Sequence, residues 1–164
     1  PEPEPRIYGG PLLKVARVGR IDPYSLNDYV AHEGYAGLRK AVAMTPEAIM
    51  ATLKASAVLG RGGAMFPVNL KWELTRKAPG SPADKHIVAN VDESEPGTFK
   101  DRALIDGDPF SLIEAMTIAA FAVGGENVWI FMRVEYPRSF ERLINAVHKA
   151  RFARYVGRYI LGHQ

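Results

Sequence analysis

Apolar side chains recur every three or four positions over much of the chain, which is the period of a helix that buries one face. Five segments show this pattern, namely 26–32, 35–43, a segment that starts at Pro46 and ends before Gly60, 109–123 and 137–154. Ser25 and Thr45 are of the types that cap helix N-termini, and proline is favoured at the first helical position. The pattern therefore predicts five helices.

Helical spacing also predicts which side chains are buried. In the helix that starts at Pro46, the buried stripe contains Ile49, Leu53 and Ala57. In the helix over 137–154, it contains Phe140, Leu143, Ile144, Val147 and Phe152. Segment 101–105 is expected to form one helical turn, and segment 70–74 a short helical or extended piece.

Two short apolar segments with β-branched residues, His86–Val91 and Val128–Met132, predict buried strands, and a third short strand is expected over 11–18. Helices alternate with these strands, so the predicted fold class is α/β, a Rossmann-like three-layer sandwich with a mainly parallel sheet. Because two or three strands are few for a complete sheet, the sandwich is expected to be incomplete in this chain.

The composition is that of an ordinary globular chain, with 164 residues of which 47% are apolar and 24% charged, and this length fits one domain. The proline- and glutamate-rich start predicts an extended lead-in over 1–23, and the domain is expected over 24–164. No apolar segment reaches the length of a membrane span. Direct membrane insertion is therefore not expected, and a cytoplasmic location is the default.

Charge and ligand counts exclude several classes of function. The net charge of +3 is small, and the basic residues are dispersed except for Arg151, Arg154 and Arg158, so no nucleic acid partner is expected. The absence of cysteine excludes disulfides and iron–sulfur ligation by this chain. The histidines lack metal-ligand spacing, so no metal site is assigned. No nucleophile with a neighbouring base is evident either, so no catalytic residue is assigned.

The stretch Gly60–Lys71, which reads GRGGAMFPVNLK, combines glycines with two cations. Backbone without β-carbons can approach a phosphate or a flat ring, and Arg61 and Lys71 offer charge to phosphate or ribose groups. Its segment Gly60–Asn69, which we term the glycine loop, is neither a Walker loop nor a GxGxxG fingerprint, because no helix obviously starts within it. A simple turn without a ligand is the alternative interpretation.

A second stretch, Asn90–Arg102, reads NVDESEPGTFKDR and follows the predicted strand His86–Val91. Asp92, Glu93 and Glu95 crowd three negative charges, which is costly unless amides, cations or ligand hydroxyls meet them. Carboxylates at the carboxyl end of a parallel strand suit ribose hydroxyls or the polar edge of a heterocycle. The alternative interpretation is a solvated acidic loop that caps the following helix.

Together the two stretches resemble the flavin-bearing, NADH-oxidising subunit of respiratory complex I, a module that also occurs in NAD-linked hydrogenases and formate dehydrogenases. The matching residues read GRGGAxFPxxLKW and NxDESEPGTFKDR, and the resemblance extends from about Pro11 to the C-terminus. Thr45-Pro46-Glu47 resembles the helix start before the family's glycine loop, and Phe131–Tyr136 its second strand. By this resemblance, the chain is the N-terminal FMN- and NADH-binding part of such a subunit.

The resemblance implies that FMN takes a hydride from NADH and passes electrons to iron–sulfur clusters in other regions or in partner subunits of a dehydrogenase or hydrogenase complex. Such partners would hold the chain at the periphery of the inner membrane. The glycine loop would line the flavin, and Asn90–Ser94 its ribityl and phosphate side, while Phe66 and Glu95 would bind NADH. The implied cofactor-binding residues are Gly60, Arg61, Gly62, Gly63, Phe66, Lys71, Asn90, Asp92, Glu93, Ser94 and Glu95.

Some positions depart from the family pattern. Met65 and Asn69 stand where glycines are expected, Val68 replaces a threonine, and Leu59 replaces a second arginine. Side chains in place of glycine beside a flavin can narrow the pocket or change the backbone angles. The chain also ends before the family's second glycine-rich segment, so it is expected to hold part of the site and to be inactive by itself. The alternative function is a non-catalytic structural or assembly module with a degenerate flavin loop.

Overall fold

The computed structural model describes residues 15–162, which form an α/β fold of helices and one two-stranded parallel sheet. The helices are α1 (Leu26–Ala31), α2 (Ala36–Val42), α3 (Pro46–Ser56), α4 (Val68–Lys77), α5 (Lys100–Gly107), α6 (Pro109–Val123) and α7 (Pro137–Phe152). The strands are β1 (His86–Val91) and β2 (Asn127–Met132). The predicted class, α/β with a parallel sheet, is confirmed.

Short sequence signals predicted the ends of several helices correctly. The Ser25 hydroxyl accepts the amide of Asp28 at 3.1 Å, and the Thr45 hydroxyl accepts that of Ala48 at 3.2 Å, so both predicted caps are confirmed. Helix α6 has the predicted bounds, and Gly124 follows it with a φ of +71°. A left-handed residue after the last helical one is the usual helix stop, and it favours glycine.

Two predicted elements differ from the structure. The segment Val15–Arg20 forms turns in place of a strand, because the amide of Val18 donates to the carbonyl of Val15 at 3.1 Å; the rest of the predicted 11–18 strand and most of the lead-in lie outside the described residues. Helix α4 begins at Val68, inside the segment where no helix start was recognised. Its N-cap is Pro67, whose side chain offers no capping acceptor, so the usual sequence signal is absent.

The prediction that both strands are buried was wrong for one face of each. Val88 on β1 and Trp129 and Phe131 on β2 are each 58–61% exposed, while Val91 is buried. A short apolar run predicts a strand, but it does not tell whether one or both faces are covered.

The described chain divides into two compact units with separate cores. The first contains the described residues up to Ala36, then Asn90–Ala115 and the residues from Ile130 onward; the second contains Gly37–Ala89 and Met116–Trp129. The core of the first unit is formed by Val91, Ile105 and Leu143 with Leu112, Ile130 and Met132. The core of the second unit is formed by Ala41, Ile49, Met50, Ala122 and Val123 with Leu53, Trp72 and Ile87 among others.

In the first unit, α1 and the start of α2 are tied to α6 by a buried carboxylate. Glu114 accepts a hydrogen bond from the Tyr29 hydroxyl at 2.5 Å and another from the amide of Tyr35 at 2.7 Å. Tyr29 also stacks on Phe110, and Tyr35 on Tyr155. Burial raises the pKa of both Tyr29 and Tyr35 above the ordinary tyrosine value, so both hydroxyls keep their protons.

Helix α7 buries a different face from the predicted one. Leu143 is buried, but Phe140, Ile144 and Phe152 are 55%, 41% and 93% exposed. The buried positions are Ser139, Arg142, Leu143, Ala146 and Ala150. They include small residues and a polar contact, in which the Ser139 hydroxyl donates to the Asp106 carboxylate of α5. The predicted burial of Ala57 was also wrong, because it is the exposed, left-handed C-cap of α3.

Candidate functional site

The acidic segment begins at the end of β1 and turns back over the first turn of α5. Glu93 is only 7% exposed, and its two carboxylate oxygens accept the amides of Asp101 and Arg102 at 2.6 and 2.9 Å. These amides have no partner inside the helix, and the carboxylate also meets the positive end of the helix dipole. Capping of the following helix, which was the alternative interpretation of this segment, is confirmed for Glu93.

The neighbours of Glu93 have other surroundings. The side-chain oxygen of Asn90 accepts the amide of Asp92 at 3.1 Å, and the Asp92 carboxylate lies 3.9 Å from the guanidinium of Arg133. Asn90, Ser94 and Glu95 are exposed. The segment therefore presents an amide, a hydroxyl and a carboxylate to solvent, while its central carboxylate is engaged with the protein.

Residues after β2 complete this edge of the sheet. The Tyr136 hydroxyl donates to the backbone carbonyl of Glu93 at 2.8 Å. The Arg133 guanidinium donates to Glu135 at 2.9 Å, and this hydrogen bond lowers the pKa of the Glu135 carboxyl below its ordinary value. Tyr136 was not among the predicted site residues. Its position four residues after a parallel strand was the available signal, because such strands end at a common edge.

A surface pocket of about 310 Å³ lies beside Tyr136 in the first unit. It is lined by Arg102, Glu135, Tyr136, Pro137, Arg138 and Ser139. The Arg102 guanidinium carbon lies 4.9 Å from the centre of the Tyr136 ring and 5.3 Å from that of Phe99. Cation–π contacts of this kind fix the direction of the guanidinium without neutralising its charge.

The glycine loop belongs to the second unit and connects α3 to α4. The amide of Gly60 donates to the carbonyl of Phe66 at 2.8 Å, and the amide of Val68 donates to that of Val58 at 3.0 Å. These bonds hold the two ends of the loop together in an antiparallel arrangement, with Gly62 and Gly63 at its tip. The glycine loop is therefore a hairpin-like projection that leads directly into α4.

The tip of the glycine loop leaves its backbone uncovered. A β-carbon at Gly62 or Gly63 would meet no atom within 4 Å, and Gly63 has a φ of +114°, which favours glycine. Phe66 is 44% exposed, and Met65, with a φ of +51°, is 63% exposed. A non-glycine residue in this left-handed region is strained by about 1 kcal/mol. Met65 is one of the two positions where the family pattern has glycine.

Two cations lie on either side of this uncovered backbone in the sequence. Arg61 and Lys71 are exposed, and neither forms an ion pair with any residue in the range 15–162. Arg76, by contrast, pairs with Glu47 on α3 within the same unit. Arg61 and Lys71 are therefore available to an anionic ligand.

The predicted site residues thus divide between the two units. Asn90, Asp92, Glu93, Ser94 and Glu95 lie together in the first, and the residues of the stretch Gly60–Lys71 lie together in the second. Taken by itself, the second unit offers uncovered backbone to a flat ring and cations to a phosphate, as a flavin mononucleotide requires; the first unit, taken by itself, offers exposed polar groups to hydroxyls. Within residues 15–162 there is no group of three side chains suited to a metal ion, and no helix with the length and hydrophobicity needed to cross a bilayer.

The profile of the Nuo51 FMN-binding domain, from the complex I 51K family, matches residues 53–164. The chain belongs to this family. It is 40% identical over 162 residues to the F subunit of the NADH-quinone oxidoreductase of Aquifex aeolicus, covering 96% of this chain and 37% of that one. It is 43% identical over 145 residues to the HndC subunit of the NADP-reducing hydrogenase of Solidesulfovibrio fructosivorans, covering 88% of this chain and 29% of that one. The predicted resemblance to a complex I-type flavoprotein subunit is confirmed.

A solved member of the wider group has a similar fold. The NAD+-reducing NiFe-hydrogenase in its H2-reduced state matches with a TM-score of 0.66 and 29% sequence identity, over 89% of this chain and 23% of that one. The two curated relatives are subunits of an NADH-quinone oxidoreductase and of an NADP-reducing hydrogenase. The chain spans about a third of the length of the two curated relatives, 37% and 29%.

Proposed function

We propose that this Nuo51 domain binds FMN and NADH and promotes hydride transfer from NADH to the flavin. FMN, when bound, supplies the hydride acceptor and returns electrons one at a time. The observation that supports this most strongly is the uncovered backbone at Gly62 and Gly63, in a chain of the FMN-binding family. Arg61 before it and Lys71 on α4 form no ion pair with the described part of the chain, residues 15–162. Because the chain has no cysteine, iron–sulfur clusters that receive the electrons belong to other regions or partner subunits.

The residues of the glycine loop bind the flat and the anionic parts of the ligands. The backbone of Gly60, Gly62 and Gly63 would hold the flavin ring, because a side chain there would intrude on it. Arg61 and Lys71 donate to phosphate or ribose oxygens. Phe66 offers an exposed ring face on which the nicotinamide nucleotide stacks, since aromatic rings prefer offset stacked contacts.

The acidic segment binds hydroxyl groups. Asn90, Asp92 and Ser94 accept and donate hydrogen bonds to the ribityl chain, and Glu95 accepts bonds from the ribose hydroxyls of NADH. Glu93 acts by positioning, because its carboxylate is engaged with α5 and its backbone holds the loop between Asp92 and Ser94. No proton transfer is assigned to a side chain of this set, because FMN, if bound, would itself supply the hydride-accepting chemistry.

The names of the relatives support a proposal about the protein complex in which this chain works. The Aquifex relative is a subunit of an NADH-quinone oxidoreductase, and HndC is a subunit of an NADP-reducing hydrogenase. We therefore propose that this chain works in a complex of that kind, on the cytoplasmic side and peripheral to the inner membrane, where partner subunits accept the electrons.

A flavin titration of the purified protein tests the proposal. FMN fluorescence should be quenched on binding, and Lys71→Ala or Asn90→Ala should weaken binding about 10- to 100-fold, as expected for the loss of one ligand hydrogen bond worth about 1.5–3 kcal/mol. Lys54→Ala, which removes an exposed cation from α3, is the matched control and should leave the affinity unchanged. Absence of quenching, or equal affinities for Lys54→Ala and Lys71→Ala, would overturn the assignment.

One observation favours the second candidate, a non-catalytic structural or assembly module. Met65 occupies a left-handed backbone position with its side chain in solvent, and it does so in the glycine loop itself. In that case the glycine loop has lost its ligand, and neither FMN nor NADH is bound by the protein.

A further inference from the structure

The surface pocket beside Tyr136 contains a half-buried arginine, Arg102, from the first turn of α5. Among residues 15–162, no carboxylate lies within ion-pair distance of its guanidinium. A charge that is partly withdrawn from water is unfavourable unless an opposite charge meets it, so the pocket favours an anion. We term this cavity, with the six lining residues given above, the Arg102 pocket.

The other charged side chains that line the Arg102 pocket have oppositely charged neighbours. The Glu135 carboxylate accepts hydrogen bonds from the Arg133 guanidinium at 2.9 and 3.3 Å. The Nε atom of Arg138 lies 3.9 Å from the Asp106 carboxylate. Arg102 is therefore the cation of this pocket that is available to an anionic ligand.

Arg102 is held in place at both ends. Its amide donates to the Glu93 carboxylate at 2.9 Å, which fixes the backbone. Its guanidinium carbon lies 4.9 Å from the centre of the Tyr136 ring, and the Tyr136 hydroxyl donates to the Glu93 carbonyl at 2.8 Å. Ring contacts of this kind leave the N–H donors of a guanidinium available to oxygen atoms. A side chain that is positioned before the ligand arrives loses less entropy on binding.

We propose that the Arg102 pocket binds the phosphate monoester of a sugar or polyol, with the phosphate on Arg102 and a ligand hydroxyl on Glu135. The planar fork of an arginine matches the oxygens of a phosphate. The Glu135 carboxylate keeps acceptor positions beyond the two that Arg133 uses, because a carboxylate has about four. The volume, about 310 Å³, is at the low end of small-ligand sites, which run from roughly 300 to 1,000 Å³.

Two kinds of ligand carry this chemistry. One is a separate sugar phosphate, free or as part of a nucleotide. The other is FMN, whose ribityl chain ends in a phosphate, and this second source alone rests on the function proposed above. The Arg102 pocket and the acidic segment belong to the same unit and share the contacts of Glu93.

Ribose 5-phosphate tests the Arg102 pocket without a flavin. Added to the purified protein, it should shift the amide NMR signals of Arg102, Arg138 and Ser139 with one saturable concentration dependence. Arg102→Gln should weaken this binding about tenfold or more, because it removes a charged donor. Arg102→Lys keeps the charge but loses the fork, and its affinity should lie between the two. Absence of these shifts, or wild-type affinity in Arg102→Gln, would overturn the proposal.

Arg151→Gln is the matched control. Arg151 is an exposed arginine of the same unit, on α7 and about 21 Å along the helix from Pro137. Its replacement should leave the affinity for ribose 5-phosphate unchanged. Equal losses in Arg102→Gln and Arg151→Gln would show general charge attraction and would contradict a site at the pocket.

Glu135→Gln tests the hydroxyl contact. It should weaken the binding of ribose 5-phosphate, while inorganic phosphate, which has no sugar hydroxyl, should bind no more weakly than to the wild type. Equal affinities of the wild type for inorganic phosphate and ribose 5-phosphate would overturn the assignment of a sugar or polyol.

Riboflavin, which is FMN without the phosphate, separates the two sources. If the FMN phosphate occupies the Arg102 pocket, the wild type should bind FMN more tightly than riboflavin, and Arg102→Gln should lose that preference. If the ligand is a separate sugar phosphate, Arg102→Gln should keep the preference and lose only ribose 5-phosphate. Either result supports the Arg102 pocket. A protein that binds ribose 5-phosphate there but no flavin would support the pocket and contradict the function proposed above.

Discussion

The carboxylate of Glu93 lies 2.6 Å from the backbone nitrogen of Asp101. A side chain two residues after β1 thus caps the N-terminus of α5, which begins at Lys100. Glu93 has a left-handed backbone, with a φ of +44°, and its own carbonyl is held by a tyrosine hydroxyl. The segment that carries the exposed Ser94 and Glu95 is therefore fixed at its centre by a capping contact.

Replacing Glu93 by alanine should destabilise the protein. The two hydrogen bonds that the buried carboxylate accepts are lost, and each such bond contributes about 1.5–3 kcal/mol, so the free energy of unfolding should fall by about 3 kcal/mol or more. Urea denaturation measures the change. Glu93→Gln, which retains one of the two acceptors, should fall between wild type and Glu93→Ala.

Glu95→Ala is the control for this contact, because Glu95 is exposed on the same segment. Its free energy of unfolding should stay within about 0.5 kcal/mol of the wild type. Equal losses for Glu93→Ala and Glu95→Ala would show that the cap contributes nothing.

Tyr29→Phe should remove one stabilising bond from a buried carboxylate. The Tyr29 hydroxyl donates to Glu114 at 2.5 Å, and its loss should cost about 1–3 kcal/mol of unfolding free energy. The exposed Tyr159 gives the matched control, Tyr159→Phe, which should be neutral. A loss below about 0.5 kcal/mol for Tyr29→Phe, measured by urea denaturation, would mean that the bond is not needed.

Asp108 should give stability an identifiable pH dependence. It is 1% exposed, and burial raises the pKa of its carboxyl above the ordinary value of 3.8, against the opposing effect of Arg17. The folded state then binds the proton more tightly than the unfolded state, so this residue's contribution to stability falls as the pH rises above about 4. Relative to the non-titrating Asp108→Asn, the wild type should lose stability as the pH rises, until the carboxyl is ionised in the folded state as well. Urea denaturation of both proteins from about pH 4 to pH 7 measures the difference. A difference that grows in the opposite direction would show that the Arg17 ion pair outweighs burial.

Met65→Gly separates the two candidate functions. If the glycine loop binds FMN, glycine at this position lets the backbone adopt its ligand-bound conformation without the strain of about 1 kcal/mol that a β-carbon causes, so binding should tighten about fivefold. Met65→Ala keeps the β-carbon and serves as the control, with an affinity near that of the wild type. Flavin titration measures all three proteins. No difference between Met65→Gly and Met65→Ala would favour the non-catalytic module.

Features that depend on neighbouring residues in sequence could be predicted. The ends of β1 and α6 matched their prediction because an apolar run, a proline and a pair of glycines are local signals. The capping role of Glu93 was weighed but not assigned to one residue. Nothing local distinguishes it from Asp92 or Glu95, since its partners are backbone amides eight and nine positions away.

Features that depend on packing could not be predicted. Helix α7 has larger apolar residues at Phe140 and Ile144 than at Ala146 and Ala150, yet it buries the alanines. The buried face also includes Ser139, whose hydroxyl donates to Asp106 on α5, and hydrophobic periodicity does not predict such a polar contact. Burial of the strands failed for a related reason, because an apolar residue such as Phe131 shows only that a face can be covered.

Reduction by NADH tests the central claim most directly. The purified protein, loaded with FMN under anaerobic conditions, should lose the visible absorbance of the flavin when NADH is added, while Lys71→Ala should require far more FMN to show the same change. We predict slow bleaching in the wild type, because the chain spans only about a third of the length of its curated relatives. Flavin that stays unbound, or bound flavin that keeps its absorbance in excess NADH, would contradict the claim.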